Sequence, residues 1–339
     1  MPRKKMYSHL IKPLVIKNGP TGLYAEPRVW AEGRDWEGFA GHFSYGFFKA
    51  PAVCHPLKGA VIHPHDEVLV FAGTDKTDVL HLGGEVSIEI GEEREEHVFT
   101  ESTVISIPKG TPHGPATIRR VDNRPLVHFL IGLDGEYKAV EIPEKSRPAK
   151  TKGKKYAQLI KLLRTYVPDE KRAATSHVLE DTRGRSKTGM GYESMMDKRG
   201  VMHPRDKMGP GNADDLVWLF GEDLQNFSLN FTWGFWSAAG KWHRPGEGHL
   251  HPEEEALIFV GLDPDKPDYL GAELEIAMGK EFERHVFNTP TCVICPKGFV
   301  HLPLITRWCD TPYSFIVACL GDVHEAPWLS EEDLEDMDE

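Results

Sequence analysis

The stretch GHLHPEEE at residues 248–255 carries two histidines and a glutamate at His249, His251 and Glu255. On an extended strand these positions differ by even numbers, so their side chains leave the backbone on one face. His301 follows downstream behind PKGFV, where Pro296 and Gly298 shape a turn. Neutral imidazole nitrogens with one ionised carboxylate form a donor set for a divalent transition metal (iron, manganese, nickel, copper or zinc). A lone histidine there would read as a surface or hydrogen-bonding group. Four ligand types in this order read as a metal site.

The same pattern occurs earlier in the chain, one ligand short. FSYGFFKAPAVCHPLKGAVIHPHDEVLVFAG, from Phe43, lies without a gap on FTWGFWSAAGKWHRPGEGHLHPEEEALIFVG, from Phe231. The same spacing carries His63 onto His251, Glu67 onto Glu255, Glu85 onto Glu273, His97 onto His285 and His113 onto His301. Such self-similarity marks a duplicated domain. Val61 stands at the position of His249, and His65, two residues beyond His63, is the candidate replacement. His63, His65, Glu67 and His113 are therefore a candidate second metal site. His55 and His243 are also paired by the repeat and could line the mouth of each site. Glu255 and His243 are the candidates for catalytic acid–base work. Cys292 and Cys295 have redox spacing, but on a strand they face opposite sides and read better as buried hydrophobes. Trp233, Trp236 and Trp242 are either an aromatic pocket wall or core.

The elements that must position these residues are short and β-like. EVLVF, EVSIEI, HVF and TVISIP recur as EALIFV, ELEIAM, HVF and CVICP, punctuated by Gly and Pro. Alternation in EVSIEI puts Val86, Ile88 and Ile90 on one face and Glu85, Ser87 and Glu89 on the other. The expected fold class is all-β: two jelly-roll barrels from an internal duplication, joined by a partly helical linker. The expected division is a first barrel over 1–142, a charged linker over 143–200, a second barrel over 201–328 and an acidic tail over 329–339. Tyr156, Leu159, Ile160 and Leu163 recur at helical spacing and predict a short amphipathic helix in the linker.

The sequence His249-x-His251-x-x-x-Glu255 followed by Pro296-x-Gly298-x-x-His301 resembles the two motifs of the cupin superfamily. The resemblance covers both copies and is specific in the second. It implies small β-barrels holding a metal through three histidines and one glutamate, with open positions for substrate, water or dioxygen. Family members often carry a Gly six residues before the second-motif Pro and an Asn four after its His; this chain has Pro290 and Ile305. The stretch GLDPDKPDYLGAE between the motifs is also longer than in minimal members. These departures touch loops and pocket walls more than ligation.

With 339 residues, 40% of them hydrophobic, the chain is long enough for two cores. Its formal charge of -12 argues against a nucleic-acid partner. No stretch approaches the roughly 18 apolar residues of a membrane span. Five cysteines in a long chain are not a disulfide framework. The expectation is a cytoplasmic protein with a small-molecule substrate, no membrane partner and an oligomeric state left open, a homo-oligomer included. The function expected first is a metal-dependent dioxygenase-type oxidoreductase acting on a small organic substrate, aromatic compounds and diketones included. The alternatives are a metal-dependent isomerase, lyase or decarboxylase, or a non-catalytic small-molecule-binding protein. One metal is expected in the second barrel, with a second ion in the first if His65 completes its site.

Overall fold

The computed structural model describes residues 5–166, 197–201, 213–242, 248–324 and 328–329. Among them, regular structure consists of short strands and three-residue 3-10 turns. No helix among the described residues is long and apolar enough to cross a membrane. Contacts group the chain into two compact units, Leu14–Arg164 and Met1–Pro13 with Thr165–Glu339.

Strand β1 (Ile11–Pro13) belongs to the second unit. The first unit contains β2 (Ile16–Lys17), β3 (Arg28–Ala31), β4 (His42–Phe48), β5 (Ala52–Cys54), β6 (Ala60–Ile62), β7 (Glu67–Ala72) and β8 (His81–Ile90). It continues with β9 (Glu95–Glu101), β10 (Thr103–Ile107), β11 (His113–Val121), β12 (Leu126–Gly132), β13 (Val140–Ile142) and β14 (Ile160–Leu162). One sheet runs β14-β10-β7-β12-β4-β3-β2, and the other runs β13-β6-β11-β8-β9 with β5 also on β11. Leu69, Phe71, Ile105, Ile107 and Leu130 of the first sheet meet Val86, Ile88, Ile90, Ala116 and Ile118 of the second in one apolar cluster. Each such large side chain withdrawn from water contributes about 1.5–3 kcal/mol. The alternation expected for EVSIEI holds, and its outward Glu89 is itself covered. Arg94, Arg147 and Lys150 bring cationic nitrogens to 2.9, 3.0 and 2.8 Å from its carboxylate.

The second unit repeats this plan with β15 (Asp215–Leu219), β16 (Asn230–Trp236), β17 (Gly240–Lys241), β18 (Gly248–His249), β19 (Glu255–Gly261) and β20 (Ala272–Met278). It is completed by β21 (Glu283–Phe287), β22 (Thr291–Cys295), β23 (His301–Cys309), β24 (Tyr313–Cys319) and β25 (Trp328–Leu329). Its sheets run β1-β22-β19-β24-β16-β15 and β21-β20-β23-β18-β25, with β17 also on β23. Trp233, Trp236 and Trp242 are fully buried, and the last two stack at 4.4 Å, so they are core rather than pocket wall. The two-barrel, all-β architecture is the one expected.

The linker helix is not formed. Ala157–Leu159 is a single 3-10 turn, and Ile160–Leu162 is a strand that pairs with the edge of β10. Residues four apart share a face on a strand as well as on a helix, so Leu159 and Leu163 are buried either way. The open edge of β10 supplies ladder partners that an isolated helix could not match.

The same device serves the second unit, built from the start of the chain. Ser8–Leu10 is a 3-10 turn, and β1 pairs with the edge of β22. Tyr7 donates to Glu281 and Tyr156 donates to Glu93, at 2.7 and 2.9 Å. The backbones of Met6 and Tyr7 donate to Glu283 as those of Lys155 and Tyr156 donate to Glu95. His285 and His97 lie 2.7 and 2.9 Å from those last two carboxylates and help to fix them. This is the fold role of the HVF histidines.

Candidate metal centres

In the second barrel, pairing of β18 with β23 sets His249 opposite His301, and β19 begins at Glu255. His249, His251, Glu255 and His301 are buried and place one ligand atom each within 4.8 Å of the others. The Nε2 atoms of His249 and His301 are 3.0 Å apart, and Glu255 Oε2 lies 3.2 and 3.1 Å from the Nε2 atoms of His251 and His301. His301 Nδ1 donates to the Phe299 carbonyl at 3.1 Å, which turns its Nε2 lone pair into the cluster. Burial acts to raise the Glu255 carboxyl, but His251 and His301 outweigh it and hold it well below the usual carboxylate range. All four residues expected from the sequence are brought together. His243 lies outside the described residues.

The first barrel holds a complete set too, with a different fourth member. His55, His63, Glu67 and His113 place their ligand atoms within 4.8 Å of one another. His55 supplies the imidazole that Val61 cannot: its Nε2 lies 2.9 Å from Glu67 Oε2 and 3.2 Å from His113 Nε2. His65 is not in this group. Residues 63–66 lie between β6 and β7, and the His65 ring is set beside that of His63 and edge-on to His42, both at 5.0 Å.

The partners of these rings fit a bound cation. His63 Nδ1 donates to Lys138 O at 2.7 Å and His113 Nδ1 to Thr111 O at 2.9 Å, so both direct Nε2 lone pairs inward. For His55 the tautomer is set through a chain of three groups. His128 Nδ1 donates to Val70 O at 2.9 Å, so its Nε2 accepts from the Tyr24 hydroxyl at 3.0 Å. The Tyr24 oxygen then accepts from His55 Nδ1 at 3.4 Å and leaves His55 Nε2 bare toward Glu67. His63 Nε2 is buried without a hydrogen-bond partner, and a bound cation would satisfy it. Desolvation lowers His55 and pushes His63 down to about 3, so both are neutral ligand forms. Burial acts to raise Glu67, but His55, His63 and His113 outweigh it and keep the carboxylate ionised.

His55 is held at φ 47°, a region that non-glycine residues seldom adopt. Its carbonyl packs where a Cβ on Gly114 would fall, 2.2 Å away, so glycine is required for this approach. Leu302 takes the corresponding place in the second barrel.

Several site groups escaped the sequence reading. Tyr24 and His128 carry no motif. His324, buried beyond the end of the repeat, lies 4.7 Å from the His251 ring and 4.5 Å from Trp218. Tyr137 has the same relation to His63 and Trp30, at 5.1 and 5.4 Å. An open pocket of about 450 Å³ adjoins the first centre, lined by Ile62, His63, Lys109, Lys138 and Val140. The carboxylates of Glu85 and Glu273 are ion-paired to Arg119 and Arg307, as strand-face partners rather than acids. Burial raises the thiols of Cys292 and Cys295 well above their ordinary value, in keeping with core residues.

No family model matches the chain, and no curated protein matches it. Solved structures do. A mutant of Bacillus subtilis oxalate decarboxylase matches with TM-score 0.50 and 11% identity, over 93% of this chain and 78% of that one. The formate complex of Lactobacillus farciminis oxalate decarboxylase matches with TM-score 0.52 and 11% identity, over 96% of this chain and 90% of that one. Likeness at this identity concerns the fold.

Proposed function

The chain is a bicupin in fold, and from that premise we propose a metal-dependent lyase that removes carbon dioxide from a small carboxylate substrate. The observation that carries this reading is the convergence of three imidazoles and one ionised glutamate in each barrel. Four protein donors would leave a six-coordinate divalent ion room for a carboxylate oxygen and a water. The proposed ligands are His249, His251, Glu255 and His301 in the second barrel, and His55, His63, Glu67 and His113 in the first.

Bound there, the metal supplies Lewis acidity toward a substrate oxygen. The protein's own groups do the rest. Lys109 at the first pocket would attract an anionic substrate, whereas Lys138 there is paired with Asp134 and Glu136. The carbon that loses carbon dioxide must take up a proton. His324 beside His251 is the group we assign to deliver it in the second barrel; the Tyr137 ring holds the matching place in the first, where burial pushes its hydroxyl far above the range of a proton donor. Glu255 and Glu67, ionised and enclosed by imidazoles, serve as ligands rather than proton donors.

The folds matched favour the lyase alternative over the dioxygenase expected first. Oxalate is the first substrate to test. Manganese-reconstituted protein, given oxalate and other small mono- and dicarboxylates in air, should release carbon dioxide without net oxygen consumption. Oxygen uptake equal to substrate consumed, with oxygen atoms incorporated into the product rather than released as peroxide, would return the assignment to a dioxygenase, and no turnover of any carboxylate would leave a binding protein.

A further inference from the structure

Glu67 also belongs to a second group of donors. One ligand atom each from His42, His65 and Glu67 lies within 4.8 Å of the others. The three residues are 1%, 5% and 0% exposed. His42 Nδ1 donates to Asp134 O at 2.7 Å, leaving Nε2 for the interior. That Nε2, both ring nitrogens of His65 and Glu67 Oε1 are buried without a hydrogen-bond partner. One nitrogen from each ring and the Glu67 oxygen make three donors close to one another, and buried polar atoms left without a partner are costly unless something binds them.

The surroundings are shaped for this group. A Cβ on Gly132 would fall 2.0 Å from the His42 ring, so the ring fits only against glycine. The second barrel provides an internal contrast. Asn230 stands where His42 does, and Glu253 where His65 does. Asn230 Nδ2 donates to the carbonyls of Gly321 and Val323, each at 3.0 Å, and Glu253 pairs with Lys297 at 2.8 Å. Positions that are satisfied in the second barrel are thus open imidazoles in the first.

We propose that Glu67 bridges two divalent metal ions in the first barrel. Oε2 joins His55, His63 and His113 around one ion. Oε1 joins His42 and His65 around the other. Two histidines and one carboxylate suit iron(II), manganese(II) or cobalt(II) and leave open positions. Carboxylate-bridged pairs of this kind hold their ions about 3.5–4 Å apart. The site takes a bare first-row divalent cation, and its existence does not depend on which reaction the protein performs.

The test uses the full chain, stripped with a chelator and dialysed against manganese(II) alone. Glu255→Gln is introduced to silence the second barrel. The expected content is two manganese ions per chain, with an exchange-coupled electron paramagnetic resonance signal. His65→Ala in the same background should hold one ion and show an uncoupled spectrum. Should His65→Ala fail to fold, as judged by circular dichroism, His42→Gln gives the same reading from the opposite side. One ion or none in the Glu255→Gln protein, or two uncoupled ions unaffected by both histidine variants, would overturn the bridge. Because metal is counted without substrate, this outcome is separate from success or failure of the lyase reading.

Discussion

His55 Nε2 lies 3.2 Å from His113 Nε2 in the first barrel, the relation that His249 has with His301 at 3.0 Å in the second. A different strand end therefore restores the ligand that Val61 lacks. His55→Ala should cost the first barrel the ion held at His113, read as metal content. Val61→His alone should add nothing, because the place is taken. Combined with His55→Ala it should restore the ion, since Val61 pairs directly with His113. Overpacking at this buried position costs roughly 1–3 kcal/mol, which a thermal melt would register. An ion gained by Val61→His alone would show that His55 is not a ligand.

His324 is assigned to proton delivery, so His324→Phe should keep the second-barrel metal and the tilted ring contact with Trp218. Its kcat should fall about 10²–10⁴-fold, the range of a lost general acid or base. Unchanged turnover, or loss of metal along with activity, would remove His324 from this role.

How much of this was legible in the sequence follows from particular residues. His249, His251, Glu255 and His301 were readable from their types and spacing, although His251 lies between β18 and β19, so a bend between two strands rather than alternation along one brings the first three together. His55 as a ligand was not, because a gapless repeat compares like positions and hides a donor supplied from an unlike one. His65 was placed with the His63 set because 63–67 was read as one strand, whereas residues 63–66 lie between β6 and β7 and alternation does not hold there. Tyr156–Leu163 misled because a four-residue spacing satisfies helix and strand alike, and only the open edge of β10 decides between them. His324 lies past the repeat, where no internal comparison exists.

Metal-free protein should lose stability as pH falls. The His63 ring titrates near 3 when folded against 6.5 ordinarily, so between these values the unfolded chain binds more protons than the native one. Burial lowers His42, His55 and His65 in the same direction. Stability is complete above about 6.5 and declines toward 3, and depressed Glu67 and Glu255 add to the loss below the ordinary carboxylate range. Melting at pH 5 should fall below melting at pH 7.5. Equal or higher melting at pH 5 would contradict neutral burial of these rings.

The start of the chain should matter to the second barrel rather than the first. Removing residues 1–13 takes β1 off β22 and removes the backbone hydrogen bonds of Met6 and Tyr7 to Glu283, leaving only that of His285 among those described. At about 1 kcal/mol net per hydrogen bond, the loss amounts to several kcal/mol. Amide exchange at Thr291–Cys295 should accelerate while Thr103–Ile107 stays protected. Protection lost equally in both strands would refute the pairing.

The most direct measurement is the metal content of Glu67→Gln, Glu255→Gln and the double variant, loaded in parallel with manganese(II). Each single change should remove the ions of its own barrel and leave those of the other, and the double variant should hold no tightly bound metal. Wild-type content in the double variant, or complete loss in either single one, would contradict two independent centres built on Glu67 and Glu255.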